Sequence, residues 1–185
     1  MVSEQYNRKP VPIFIVMGVA GCGKTSVAEE LQILLNCDYV EGDSLHPKEN
    51  VDKMTSGIPL QDDDRWPWLR KIRDTIEAHA KTLYDQEEEK GRALVVTCSS
   101  LKKVYRDILC DVPKELATVT FVYLKGTTDL LAERIGNRQS HFMSASMLQS
   151  QLDTLEEPDP KTENVIITCI TPEPKIIAAD VLKKI

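Results

Sequence analysis

A chain of 185 residues is the size of one α/β domain and leaves little room for a second. Hydrophobic residues make up 42% and charged residues 28%, which excludes a disordered chain and allows a buried core. The net charge of −6 argues against nucleic acid as the main partner, because such binders carry a basic face, so a bound anion must be met by local positive charge.

Met1 to Pro10 is polar, and no apolar run approaches the roughly 20 residues that span a bilayer, so a cytoplasmic protein without a membrane partner is expected. Pro12 to Met17 reads as a short apolar strand ending at a glycine-rich turn. From Thr25, the residues Val27, Ala28, Leu31, Leu34 and Leu35 recur at helical spacing and predict one packed face. A weaker strand is expected over Asp38 to Glu41, then a helix from Trp66 to about Gln86. Glu87-Glu88-Glu89-Lys90 reads as a solvated helix end leading to Gly91. The β-branched runs Ala93 to Thr97, Thr118 to Leu124 and Val165 to Ile170 predict strands buried on both faces of a parallel sheet. Helical stretches over Leu101 to Cys110, Thr127 to Asn137, Ser146 to Leu155 and near Glu173 to Lys184 alternate with them. The expected fold class is therefore α/β, a five-stranded parallel sheet flanked by helices. Gln139 to Ala145 is polar, interrupts two helices, and suits a lid as well as an ordinary connection. The five cysteines, Cys22, Cys37, Cys98, Cys110 and Cys169, lack zinc-ligand spacing and read as free thiols of a reducing compartment.

Gly18-Val19-Ala20-Gly21-Cys22-Gly23-Lys24-Thr25 matches G-x-x-x-x-G-K-[ST] between the first strand and the first helix. In that position backbone N–H groups curl around phosphate oxygens, the helix N-terminus adds positive potential, Lys24 reaches the β- and γ-phosphates, and Thr25 ligates Mg²⁺. The D-x-x-G and N-K-x-D patterns of GTPase switches do not occur in the chain, and no acid follows Ala93 to Thr97, where a motor or transport ATPase carries one. Acids do close the second strand, in Glu41-Gly42-Asp43. Two carboxylates two residues apart on extended backbone point the same way, so one can serve the metal and the other can take the proton of an attacking hydroxyl. Cys22, at a helix N-terminus beside Lys24, is expected to be a reactive thiolate if it is exposed, and an inert filler if it points inward. Trp66 and Trp68 read as packing anchors, and Met54 as core filler. Arg134 and Arg138 lie four residues apart, share one helix face, and are placed to reach ATP.

Further blocks follow in order. They are Glu41-Gly42-Asp43-Ser44-Leu45-His46-Pro47, then Asn50, Lys53 and Met54, Gly57-Ile58-Pro59-Leu60, and Asp62-Asp63-Asp64-Arg65-Trp66-Pro67-Trp68-Leu69. After these come Cys98-Ser99-Ser100-Leu101-Lys102-Lys103, Tyr105-Arg106-Asp107, His141-Phe142-Met143, Ser150-Gln151, Thr154-Leu155-Glu156 and Pro158. The ordered set resembles the gluconokinase family, relatives of shikimate kinase within the P-loop kinases. Glu41 stands where Asp is usual, Gln61 where Asn is usual, Ser100 where Ala is usual and Ser140 where Gly is usual.

The resemblance implies a P-loop NTPase fold of nucleoside-monophosphate-kinase or shikimate-kinase type, one domain over residues 1–185 with a lid at about 138–146. It implies phosphorylation of D-gluconate at its 6-hydroxyl by ATP with Mg²⁺, giving 6-phospho-D-gluconate and ADP and feeding the pentose phosphate pathway, in a protein that forms a homodimer. Residues implied to bind ATP are Gly18, Val19, Ala20, Gly21, Cys22, Gly23, Lys24, Thr25, Ser26, Arg134 and Thr171, with Thr25 and Glu41 at the metal. Lys24, Asp43 and Arg138 are implied to be catalytic. Gluconate carries a carboxylate and several hydroxyls, so cations, carboxylates and amides suit it. His46, Asn50, Lys53, Asp62, Asp64, Arg65, Lys102, Arg106 and His141 are the implied pocket, with Lys103 and Tyr105 beside it. Which residue grips the carboxylate stays open, as do a kinase for another polyhydroxy acid or a nucleoside monophosphate, and a nucleotide sensor without catalysis.

Overall fold

Val11–Met17 forms strand β1, whose Val, Ile and Phe side chains favour extended backbone and pack into the core on both faces. In the computed structural model, which describes residues 8–86, 91–136 and 145–185, β1 lies at the centre of a sheet. The other strands are β2 (Asp38–Val40), β3 (Leu94–Thr97), β4 (Ala117–Lys125) and β5 (Val165–Cys169). All pair in parallel in the order β2-β3-β1-β4-β5, with Ile15 level with Val96 on one side and Phe121 on the other. The chain leaves β1 for the β2 edge, returns to β3, then crosses to β4. That reversal opens a crevice at the C-terminal ends of β1 and β3, where ligands of open α/β sheets bind.

The helices are α1 (Lys24–Leu35), α2 (Lys48–Thr55), α3 (Asp62–Tyr84), α4 (Lys103–Leu109), α5 (Thr128–Gly136), α6 (Ala145–Thr154) and α7 (Pro174–Leu182). Helix α1 buries Val27, Ala28 and Leu31, but Leu34 is 41% exposed, so the expected apolar face ends a turn early. Strand β5, at the sheet edge, is only half-covered, contrary to the expectation of burial on both faces. Helix α2 has no apolar period to announce it in the sequence, and Asn50 is its buried residue. Helix α3 begins four residues before Trp66, because Asp64 accepts the Gln61 N–H at 2.9 Å and three acids at the N-terminus complement the helix dipole. Most of the expected lid, including Arg138, Ser140, His141, Phe142 and Met143, and the run Glu87 to Lys90, lie outside the described residues. Among the described residues no helix is long and apolar enough to cross a membrane.

Candidate active site

The turn between β1 and α1 wraps tightly because its glycines take conformations closed to other residues. Gly21 has φ +79°, and a Cβ there would lie 2.9 Å from the Ile135 side chain and 3.1 Å from the Leu131 carbonyl, so α5 packs directly on the loop. Lys24 arches back over it, its Nζ donating to the Gly18 carbonyl at 3.1 Å and the Val19 carbonyl at 3.4 Å. From α6, the Gln151 Oε1 accepts the Ala20 N–H at 2.7 Å. Cys22 does not bear out the reactive thiolate. It is 1% exposed, and burial raises its pKa despite the opposing pull of Lys24.

The two acids after β2 separate instead of facing the same way. Gly42–Leu45 forms a single 3₁₀ turn that lifts Asp43 off the strand line. Glu41 stays at the strand end, where Oε2 accepts hydroxyls from Thr25 at 2.9 Å and Tyr39 at 2.5 Å while Oε1 accepts the Thr97 hydroxyl. Burial works to raise the Glu41 pKa, but the hydroxyls of Thr97, Tyr39 and Thr25 outweigh it and hold the group below its ordinary value. Asp43 projects to the cleft floor with 65% of its side chain accessible. Surrounding protein raises its pKa; Lys24 opposes and Glu41 reinforces that shift.

Lys24, Thr25, Ser26, Asp43, His46, Arg65 and Ser99 meet around one cleft of about 360 Å³. Its other wall is apolar, built from Val51, Met54, Pro59, Leu60, Ile135 and Met147. Met54 is therefore a wall residue and not core filler; Val51, Ile135 and Met147 carried no signal in the sequence. His46 stacks on buried Trp68 at 3.9 Å, and its side chain is 3% accessible. Burial, with Arg65 nearby, lowers its pKa to about 4, so the imidazole is neutral at pH 7.

The expected pocket cations divide. Lys53 pairs with Asp64 at 2.5 Å, and Lys102 with Asp62 at 2.8 Å, where the Tyr105 hydroxyl also donates at 2.5 Å. Arg106 is 1% exposed, pairs with Glu163 at 2.6 Å and donates to the Ser100 carbonyl at 2.9 Å; buried in this way it does not reach the cleft, contrary to expectation. Asn50 is also buried, donating to the Asp64 carbonyl at 2.7 Å beside His46, and so supports the wall from behind. Arg65 lines the cleft and has no carboxylate partner among the described residues.

A profile of the family described as an AAA domain matches residues 14–168. The thermoresistant gluconokinase of Escherichia coli K12 is 38% identical over 175 residues, covering 93% of this chain and 94% of that protein. The chain belongs to the gluconokinase family. A solved gluconokinase from Sinorhizobium meliloti is 37% identical and superposes with a TM-score of 0.74 over 96% of this chain and 97% of that one. Shikimate kinase from Acinetobacter baumannii, 16% identical over 97% of this chain and 94% of that one, shares the fold with a TM-score of 0.56.

Against the gluconokinase pattern, Glu41 keeps its carboxylate beside Thr25 although its side chain is longer than the usual Asp, and Gln61 keeps its backbone role ahead of α3. Ser100 is fully buried at φ +47°, its hydroxyl without a partner among the described residues, and nothing in the structure explains a serine there. At the far end of the phosphate loop, Arg134 lies beside Gly23 and donates to the Ile170 carbonyl at 2.7 Å, next to Thr171. Arg134 thus joins the end of the phosphate loop to the segment that carries Thr171, and neither residue is among those lining the cleft. Among the described residues no cluster of three or more His, Cys, Asp or Glu could hold a metal by itself. A hydroxyl and a carboxylate in contact fit Mg²⁺, which takes one or two protein oxygens and completes its shell with phosphate and water.

Proposed function

We infer that the protein transfers the γ-phosphoryl group of ATP to the 6-hydroxyl of D-gluconate, giving 6-phospho-D-gluconate and ADP. The observation that carries this reading is the joint presence of the phosphate loop, Asp43 and Arg65 around one cleft in a member of the gluconokinase family. The loop N–H groups and Lys24 receive the phosphates. Arg134 and Thr171 border the rest of the nucleotide. Thr25 and Glu41 would hold Mg²⁺, which spreads the charge of the transferring group.

Asp43 accepts the proton of the 6-hydroxyl as its oxygen bonds to phosphorus and the bond to the ADP oxygen breaks, and its raised pKa strengthens it as a base. Arg65, an expected cation with no carboxylate partner among the described residues, meets the substrate carboxylate. Neutral His46 offers a hydrogen bond to a substrate hydroxyl, not a charge. The Lys53–Asp64 and Lys102–Asp62 pairs satisfy each other's charge and are not among the residues that line the cleft, so they are left out of the carboxylate site. Roles for Arg138 and His141, a cytoplasmic location, a homodimer and supply of the pentose phosphate pathway complete the proposal.

ADP release by the full chain with MgATP, measured across D-gluconate, other sugar acids, shikimate and nucleoside monophosphates, tests it. D-gluconate should show the highest kcat/KM. Faster turnover of shikimate or a monophosphate overturns the substrate, and no substrate-stimulated ADP release would leave a sensor. Arg65→Met should raise the gluconate KM about tenfold or more, since a hydrogen bond to a charged group contributes about 1.5–3 kcal/mol, and should leave the MgATP KM nearly unchanged. A gluconate KM within twofold of wild type, roughly 0.4 kcal/mol, would remove Arg65 from the carboxylate site.

A further inference from the structure

We propose that Tyr39 is a positioning residue for the metal-side carboxylate, its phenol O–H fixing the Glu41 oxygen that also receives the Thr25 hydroxyl. The proposal rests on the reading that Thr25 and Glu41 hold Mg²⁺. Nothing in the phosphate-loop spacing or in Glu41-Gly42-Asp43 assigns Tyr39 a part.

Tyr39 and Glu41 are two residues apart at the end of β2, so their side chains leave the same face. The Tyr39 hydroxyl lies 2.5 Å from Glu41 Oε2, and the Thr25 hydroxyl lies 2.9 Å from the same oxygen. The other oxygen takes the Thr97 hydroxyl, while Thr97 Oγ1 accepts the Gly42 N–H at 3.0 Å. A glutamate side chain has three torsions, and without the phenol Oε2 would be held only by the Thr25 hydroxyl, itself at the metal on this reading, leaving the carboxylate freer to swing. The phenol removes that freedom, because its ring is packed against the core and its hydroxyl has only two torsions behind it. An ordinary phenol is protonated at neutral pH, so Tyr39 is a donor there. Oε2 is consequently held on the Thr25 side before any cation arrives.

The readout is the magnesium coupling of ADP, the ratio of its dissociation constants without and with Mg²⁺, measured by titration calorimetry on the full chain. Tyr39→Phe keeps the ring and should lower that ratio about three- to tenfold, the loss expected for one ordinary net hydrogen bond that positions the carboxylate without touching the cation, while metal-free ADP binding stays unchanged. In a Glu41→Asp background the carboxylate is withdrawn by one methylene from the phenol, so adding Tyr39→Phe should change the ratio less than twofold. Glu41→Gln should abolish the coupling. If Glu41→Gln abolishes it but Tyr39→Phe does not reduce it, Tyr39 has no positioning role and the metal reading stands. If Glu41→Gln leaves the ratio intact, the metal reading itself fails. Equal effects of Tyr39→Phe in both backgrounds, or a loss of metal-free ADP affinity, would show an action not routed through Glu41 and would also overturn the proposal.

Discussion

Glu41 and Asp43 are the same kind of group two residues apart, and their surroundings push them in opposite directions. Three hydroxyls hold Glu41 below its ordinary pKa, whereas desolvation raises Asp43. Acid and base assignments follow from such divergence: the group kept anionic suits a cation, and the raised one suits proton transfer. Asp43→Asn should therefore lower kcat by about 100-fold or more, because general-base help contributes about 10²–10⁴, with little change in nucleotide affinity. Steady-state kinetics with a separate ADP titration checks this, and a near-wild-type kcat takes Asp43 out of the chemistry. The sequence placed both acids at the strand end. Their different surroundings depend on Thr97 and Thr25, which only the folded sheet brings to Glu41 and not to Asp43.

Strand β2 and helix α3 meet at Gly42, and that junction sets the floor of the cleft. A Cβ on Gly42 would lie 1.9 Å from the Thr97 carbonyl oxygen, a backbone atom held in β3. The Gly42 carbonyl accepts the Trp68 Nε1–H at 2.8 Å, so the same residue ties α3 to the strand end, and Trp68 in turn stacks under His46. Gly42→Ala should cost at least about 3 kcal/mol, within the range of the most damaging substitutions, since the obstructing atom is backbone and cannot rotate aside. Urea denaturation measures it; a loss below about 1 kcal/mol would mean that β2 and β3 can separate at little cost. The position of α3 was legible from its apolar period, but its start was not, because capping by Asp64 and not apolar spacing decides where it begins. Helix α2 was not legible at all, since most of its side chains remain in solvent and leave no periodic trace.

At the scale of the molecule, the buried histidine couples folding to pH. His46 is held at about 4 in the folded protein, against about 6.5 for an exposed imidazole, so between those values the unfolded chain binds a proton that the folded chain refuses. Stability therefore falls as pH drops from about 6.5 toward 4, by on the order of 3 kcal/mol from this residue. Asp62, Asp64 and Glu163, held down mainly by Lys102, Lys53 and Arg106 respectively, act at lower pH: their contribution is complete above the ordinary carboxylate pKa and is lost as pH falls through their depressed values. His46→Gln should flatten the fall in urea midpoint between pH 6.5 and 4 without altering the steeper acid loss below it. An equally steep fall in that variant would show that some other group carries the proton.

What the chain determined by itself was whatever contiguous residues can encode: the β-branched runs of a parallel sheet, the helix period, and a phosphate loop whose glycines and lysine work through local backbone geometry. The tertiary structure alone decided which charges are left for a ligand. Lys102 is neutralised by Asp62 from 40 residues away and Arg106 by Glu163 from 57, while Arg65 is left facing the cleft. Sequence spacing lists the cations but not their partners, because ion pairing depends on a few ångströms of distance between segments that meet only after the sheet has assembled. Cys22 obeyed the same rule: its helix N-terminus and lysine were visible in the sequence, but the burial that raises its pKa belongs to the fold.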